Sequence, residues 1–298
     1  MSDLLRLETL YASQAVAAGH PLPLPPALAL LYGPLTFPAP MPFPRPYVIG
    51  NFVSTLGGVA ALTEPGHGGG GEISGFNTQD RMLMGLLRAV ADAVVVGAGT
   101  LRADPVHLWT ADYVFPALAE PYHTLRAALG KSGPPLNVIV TASGELDTTL
   151  PVFQSGSVPT LIVTTPRGAR RVERRCLPTG VSVATAPAGA VITTGAVLAA
   201  IAQARAGDVI VVEGGPHLMG DFLAERCLDE LFLTLAPQIA GRSDAPDVAT
   251  RLAFVAGKVF APDNPLWGTL TSVHRGGSHL FLRYAFGSAL PSGSAGGT

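Results

Sequence analysis

The chain has 298 residues, 48% of them hydrophobic and 13% charged, with a formal net charge of -2. That balance leaves no basic run for nucleic acid and no cationic stretch for an anionic membrane surface. The charged fraction is about half of the roughly 25% usual in globular proteins, so much of the chain must be buried or covered.

Glycine and proline are both frequent and point to many ordered turns. The two cysteines, Cys176 and Cys227, follow no framework spacing and read as free thiols in a reducing compartment. No CxxC or HxxxH spacing marks a zinc site, so no metal is expected. The start, Met1-Ser2-Asp3-Leu4-Leu5-Arg6, lacks the pattern of a signal peptide. No apolar run reaches the roughly 18 residues of a membrane helix. The expected location is cytoplasmic.

In chain order, residues 1–46 form a proline-rich extension. Leu4 to Ala18 has the length of a short helix. Pro21 to Pro46 is studded with prolines, which cannot donate to a sheet ladder, so it is no central strand. It is also too apolar for a solvated linker, with Leu30, Leu31, Tyr32, Leu35 and Phe37. It reads as an arm lying on its own domain or on a neighbouring subunit.

From Tyr47 to residue 287 strands and helices alternate, and residues 288–298 read as a flexible tail. Tyr47 to Ser54 is a strand, followed by the glycine-rich loop Gly66 to Gly75. Thr78 to Ala91 carries a helical stripe of Met82, Leu86, Ala89 and Val90, with Asn77 or Thr78 as its cap and Asp80 in its first turn. Ala93 to Val96, Leu136 to Thr141 and Thr160 to Thr164 are short apolar strands of the kind found in parallel sheets. Arg167 to Arg175 is a basic helix and Val181 to Thr185 a further strand. Ala196 to Ala206 is a helix closed by Gly207. Val209 to Val212, Pro216 to Arg226 and Glu230 to Ala236 are strand, helix and strand. The end, Leu252 to Phe260 and Thr269 to Tyr284, has no helical stripe, and His274-Arg275-Gly276-Gly277-Ser278 fits a hairpin turn. The sum is an α/β fold: a mostly parallel sheet with flanking helices and an antiparallel C-terminal edge.

Three constellations bear on chemistry. In the first, the strand Val209-Ile210-Val211-Val212 runs through Glu213-Gly214-Gly215 into a helix starting at Pro216. Glycines let a ligand approach the backbone closely. Proline suits the first helical position, and the helix start offers free N–H groups to an anion such as a pyrophosphate. The competing reading is a plain turn that needs glycine for its shape. Glu213 at the end of a buried strand calls for a ligand or a partner.

The second constellation, Val96-Gly97-Ala98-Gly99-Thr100, repeats the arrangement. It is not a dinucleotide fingerprint, because Arg102 stands where the third glycine belongs, and no Gly-Lys-Ser/Thr makes it a P-loop. Two glycine turns at one sheet edge fit the ligand-binding edge of an open α/β fold. The third, Gly66 to Gly75, reads as a mobile loop over the site or as a surface insertion, with His67 a solvated side chain or an acid. There is no GxSxG elbow and no pair of acids in an obvious acid/base arrangement, and His20, His107, His123, His217, His274 and His279 are scattered. A reductase needs less of the protein, because the nicotinamide carries the hydride.

Read in order, several segments carry a family resemblance. They are Arg45-Pro46-Tyr47-Val48, Asn51-Phe52-Val53-Ser54-Thr55-Leu56-Gly57-Gly58, Ser74-Gly75, Asp80-Arg81, Leu87-Arg88-Ala89, Asp92-Ala93, Val96 to Thr100, Glu213 to Pro216 and Asp229-Glu230-Leu231. Together they resemble the pyrimidine reductase of riboflavin biosynthesis, a family with the dihydrofolate-reductase-like fold, over roughly Arg45 to Phe286. No segment resembles the deaminase domain of bifunctional relatives.

The resemblance implies NADPH as cofactor. Gly97, Ala98, Gly99 and Thr100 from one turn, and Gly214, Gly215, Pro216 and His217 from the other, would lie against it. Thr141 and Ser143 would stand at the adenosine-side phosphate. Asn51, Asp104 and Glu213 are the implied catalytic set, with Ser74 on the substrate side. The implied reaction is hydride delivery to C1 of a ribosylamino pyrimidine phosphate, opening the sugar to ribityl. Gly57 stands where the family carries Asp. The stretch after Asp104-Pro105 lacks the family's substrate-phosphate arginine, which leaves Arg81 and Arg102 for that contact. The expectation is a homodimeric NADPH-dependent oxidoreductase acting on a small molecule. The alternatives are a reductase of the same fold with a pterin-like or unphosphorylated substrate, and an NADPH-binding protein without chemistry.

Overall fold

The computed structural model describes residues 6–63, 67, 69–187, 189, 191–204, 206–242 and 251–287. Its centre is one ten-stranded sheet. In chain order the strands are β1 (Glu8–Ala12), β2 (Tyr47–Thr55), β3 (Ala93–Gly97), β4 (Leu136–Thr141), β5 (Thr160–Thr164), β6 (Val181–Thr185), β7 (Val209–Val212), β8 (Glu230–Ala236), β9 (Thr269–Gly276) and β10 (His279–Ala285). Their order across the sheet is β1-β9-β10-β8-β2-β7-β3-β4-β5-β6. The strands from β8 to β6 run parallel, whereas β10, β9 and β1 form the antiparallel edge.

The parallel strands are apolar on both faces because both are covered. Successive residues of β3 show this. Val94 and Val96 enter a core shared with Met82 and Leu86 of helix α1 (Thr78–Val90), Tyr122 and Leu125 of helix α3 (Ala119–Ala128) and Val172 of helix α4 (Pro166–Glu173). Ala93 and Val95 enter the opposite core, with Val197 and Ile201 of helix α5 (Thr194–Gln203) and Met219 and Phe222 of helix α6 (Pro216–Ala224). Asn77 caps α1 as expected, its Oδ1 accepting from Asp80 N at 2.9 Å.

The strand starts are tied together by three aspartates. Asp92, Asp208 and Asp229 each stand one residue before a strand. Their carboxylates accept the backbone N–H of Val209 (2.8 Å), Phe43 (2.7 Å) and Val48 (2.8 Å). Two strand donors and one in the arm before β2 are thereby satisfied.

The structure corrects two expectations and adds elements where none was assigned. Of the helix expected over Leu4 to Ala18, residues 4 and 5 lie outside the described residues, and the rest is instead strand β1 plus one turn, Gln14–Ala17, capped by Ser13. The open edge of β9 offers a ladder partner, and this tertiary gain outweighs local helix preference. Within the expected loop Gly66 to Gly75, Gly70–Ser74 is a short helix closed by Gly75 at φ +62°, while residues 64–66 and 68 lie outside the described residues. Between Arg102 and Lys131, where no element was assigned from the sequence, stand Ala111–Val114 and α3, following helix α2 (Ala98–Ala103).

The proline-rich extension packs on its own domain. Leu28, Leu35 and Phe37 are buried in the same core as Leu86 and Val94. The expected tail, 288–298, lies outside the described residues.

Candidate active site

The C-terminal ends of β7 and β3 lie side by side, and Glu213 N donates to Val95 O at 2.9 Å. β7 continues through Glu213-Gly214-Gly215 into α6, with Pro216 in the first turn. β3 ends at Gly97, which precedes α2. The two turns touch: a Cβ added at Gly215 would stand 3.6 Å from Thr100 Oγ1.

These glycines differ in what demands them. At Gly214 a Cβ would lie 2.3 Å from Leu218 Cδ2, so a side chain there would have to displace Leu218. At Gly97, Gly99 and Gly215 the nearest atoms would be 4.0, 4.0 and 3.6 Å away, and none of the three has positive φ. Neither packing nor backbone conformation requires glycine there. The three leave bare backbone along one continuous surface, beside the first turn of α6, whose unpaired N–H groups favour an anion.

Glu213 stands at the head of this surface in a chain of polar contacts. Its Oε2 accepts from Arg88 Nε (2.9 Å) and Nη2 (2.7 Å), and its Oε1 accepts from Asn51 Nδ2 (2.9 Å). The Glu213 and Arg88 side chains are 6% and 2% exposed, so each charge depends on the other. Arg88 Nη1 reaches His107 Nε2 (2.9 Å) and Thr110 O (3.2 Å). On its other side His107 Nδ1 meets Asp104 Oδ2 at 2.8 Å. Burial, more than any other influence, pulls the His107 imidazole below its ordinary pKa. The hydrogen bond from His107 holds the Asp104 carboxyl below its own.

The structure thus joins Asn51 and Glu213 directly, and Asp104 to them through two residues the sequence reading did not place in the site. Arg88 had a signal: it is a cation beside the apolar stripe of α1, and a buried cation requires a partner. The position of His107 had none, because its neighbourhood shows no period.

Other expected positions are occupied differently. Ser74 is buried, donates to Gly71 O at 3.1 Å and, with Thr234, hydrogen-bonds Asp80. Burial raises the Asp80 carboxyl, and those two hydroxyls partly offset the shift. Ser74 is therefore committed inside the wall of the site. Arg81 donates through Nε and Nη2 to Val114 O at 3.1 and 2.8 Å, closing the helix Ala111–Val114. Arg102 is exposed, and its Nη2 would lie 4.0 Å from a Cβ at Gly99. Thr141 Oγ1 and Ser143 Oγ accept from Gly144 N (3.2 Å) and Glu145 N (3.1 Å), shaping the turn after β4. That turn adjoins the Gly97 turn, because β4 pairs with β3 as far as Val140 and Gly97. Ala98 opens α2, and His217 is exposed on the first turn of α6.

Residues 46–273 match the model of the RibD C-terminal domain. The chain belongs to the RibD C-terminal domain family. No curated protein matches the sequence. Among solved structures, a pyrimidine reductase-like protein from Corynebacterium diphtheriae is 21% identical, with a TM-score of 0.61 over 88% of this chain and 98% of its own. A Thermotoga maritima diaminohydroxyphosphoribosylaminopyrimidine deaminase/5-amino-6-(5-phosphoribosylamino)uracil reductase is 22% identical, with a TM-score of 0.58. This chain covers 57% of that protein, and 81% of this chain is matched. The riboflavin biosynthesis reductase of Saccharomyces cerevisiae is 14% identical, with a TM-score of 0.53 over 82% of this chain and 90% of its own. At these identities the neighbours establish the fold, a helix-flanked, mostly parallel sheet with an antiparallel edge. Both glycine turns, Arg88 and His107 fall within the span matched to the RibD C-terminal domain.

Proposed function

We propose that this RibD C-terminal domain protein is an NADPH-dependent reductase acting on a ribosylamino pyrimidine phosphate of the 5-amino-6-(5-phosphoribosylamino)uracil type. The observation that carries the reading is the bare backbone at Gly97, Gly99 and Gly215, where neither packing nor φ requires glycine. A pyrophosphate at the start of α6 accounts for it. Bound NADPH would supply the hydride. The residues that would hold it are Gly97 to Thr100 and Gly214 to His217, with Thr141 and Ser143 beneath the adenosine-side phosphate.

Glu213 and Asn51 face the substrate. Opening a ribosylamine to its imine develops positive charge on nitrogen, and the carboxylate held by Arg88 and Asn51 is placed to stabilise it. Asp104 supports this set through His107. Of the two arginines considered for the substrate phosphate, Arg81 is bound to Val114 O, which leaves exposed Arg102 beside Gly99. The same reading makes the protein a cytoplasmic homodimer. Its support is the unpaired Cys176 and Cys227, the low charged fraction, and exposed apolar side chains such as Ile239 and Trp267. Among the described residues no helix is long and apolar enough to cross a membrane.

Titration with NADPH, followed by fluorescence, tests the cofactor. Saturation is expected, and no binding up to millimolar NADPH would overturn the reading. Gly215→Asp sharpens the test, because the backbone there (φ -64°, ψ 173°) accepts any residue. A carboxylate beside the pyrophosphate should weaken binding on the order of a hundredfold or more, corresponding to about 3–4 kcal/mol between like charges near a protein surface, with the fold unchanged. Oxidation of NADPH in the presence of the pyrimidine then separates an enzyme from a protein that only binds.

A further inference from the structure

We infer that His107 is a positioning residue for the reduction: as a neutral acceptor it fixes the guanidinium of Arg88, and Arg88 in turn fixes the carboxylate of Glu213. The inference rests on the reductase reading for its kinetic consequences, but its geometric content stands apart from them.

A guanidinium can only donate. His107 Nε2, 2.9 Å from Arg88 Nη1, must therefore carry no proton. The ring proton is on Nδ1 and is donated to Asp104 Oδ2 at 2.8 Å. Asp104 thus selects the tautomer, the tautomer supplies the acceptor, and the acceptor sets one edge of Arg88. With Nη1 held by His107 and Thr110 O, the other edge, Nε and Nη2, converges on Glu213 Oε2. Oε1 is then left to Asn51 and the open surface. Without the acceptor, the guanidinium could rotate and share both carboxylate oxygens. The rings of Trp109 (5.2 Å) and Tyr113 (4.9 Å) wall the imidazole, whose side chain is 16% exposed, so water is a poor replacement.

The arrangement gives the site a proton-dependent failure. The groups facing His107 are Asp104 from its own segment, Arg88 from α1, Glu213 from the turn after β7, and Tyr113 from Ala111–Val114. Protonation of Nε2 turns the acceptor into a donor and sets two cations against each other. The Arg88–His107 contact must then open, and Glu213 loses its alignment. Burial and Arg88 both oppose that protonation, while Asp104 and Glu213 favour it, and the balance lies below the ordinary histidine range.

The test compares His107→Gln, which keeps an acceptor and cannot titrate, with His107→Phe, which keeps the shape and removes the acceptor. His107→Phe should lower kcat for NADPH oxidation by about tenfold or more through misalignment, with little change in the KM for NADPH. His107→Gln should recover most of that loss and abolish the acidic limb of the kcat–pH profile. An unchanged kcat in His107→Phe, or an acidic limb that persists in His107→Gln, would overturn the inference. Imidazole ¹⁵N NMR of the unmodified protein tests the geometry without turnover. A neutral ring protonated at Nδ1, titrating below the ordinary range, is expected. An Nε2–H tautomer, or titration at the ordinary pKa, would overturn the inference even if the enzyme is active. The expected tautomer in a protein that oxidises no NADPH would instead remove the reductase reading alone.

Discussion

Two buried carboxylate–guanidinium pairs of nearly identical geometry stand on either side of β2, one at the start of β8 and one just past the end of β7. In one, Arg88 Nε and Nη2 converge on Glu213 Oε2 at 2.9 and 2.7 Å. In the other, Arg283 Nε and Nη2 converge on Glu230 Oε2 at 3.0 and 2.7 Å. What differs is the surroundings. Glu230 opens β8, where Tyr47 hydrogen-bonds it and the arm closes over Arg283 through Thr36 O and the Phe37 ring. Phe232 covers the other side of the guanidinium at 5.0 Å. Burial raises the Glu230 carboxyl although Arg283 opposes it, and lifts the Tyr32 phenol to about 12. Glu213 stands at the C-terminal strand edge, where open α/β sheets bind ligands, beside three glycines that nothing inside the protein requires. A buried ion pair by itself therefore does not mark a site; it is the bare backbone beside Glu213 that supports the one proposed.

The comparison breaks most sharply when each glutamate loses its charge. Glu213→Gln and Glu230→Gln both leave a buried arginine uncompensated, so both should lower stability. Only Glu213→Gln should also lower kcat per folded molecule, on the order of a hundredfold or more, because its carboxylate acts on charge developing in the transition state. Steady-state NADPH oxidation, normalised to folded protein by circular dichroism, reads the difference. Equal losses of kcat in the two variants would place no special chemistry at Glu213.

The closed pair allows a second, purely structural experiment. Arg283→Leu strands Glu230 in the interior and should cost about 3–5 kcal/mol in urea unfolding. Adding Glu230→Met should recover most of that, because replacing both partners with apolar groups removes the desolvation penalty along with the attraction. NADPH affinity should be unchanged in both variants. A double variant as unstable as the single one would mean that the pair specifies how the arm docks.

The same contrast explains what could be read from the chain alone. The apolar runs of β3, β4, β5 and β7 declare a parallel sheet, because burial on both faces leaves no other composition. The turn at Glu213-Gly214-Gly215-Pro216 was legible because local geometry writes it: strand, glycines, proline, helix. Strand β1 was not legible, since its pairing depends on an edge more than 250 residues away in sequence, from Glu8 to Arg275. The helix Ala119–Ala128 was legible in the spacing of Leu118, Tyr122, Leu125 and Leu129 but was not assigned, whereas His107 lies in the loop between Ala103 and Ala111, which has no period to read. The contrast between Gly214 and Gly215 is invisible in sequence, because it depends on where Leu218 lies.

The smallest expected effect concerns a second buried histidine, the counterpart of His107 beside the Glu230–Arg283 pair. His274 packs its ring 4.9 Å from that of Tyr32. Burial, with Arg283 adding to it, lowers its pKa from 6.5 to about 4. Between those values the unfolded chain binds a proton that the folded chain refuses. The contribution of His274 is therefore fully present above pH 6.5 and is lost as pH falls toward 4, up to about 3 kcal/mol. Glu230, with its raised pKa, favours protonation of the fold and works in the opposite direction. The useful quantity is thus the difference between the unmodified chain and His274→Phe, measured by urea unfolding at neutral and mildly acidic pH. The variant should lose less stability on acidification, whereas its kcat–pH profile should keep the limb assigned to His107. If His274→Phe instead removed that kinetic limb, the acid sensitivity of turnover would arise from loosening around the Glu230–Arg283 pair, and the two pairs would not be independent.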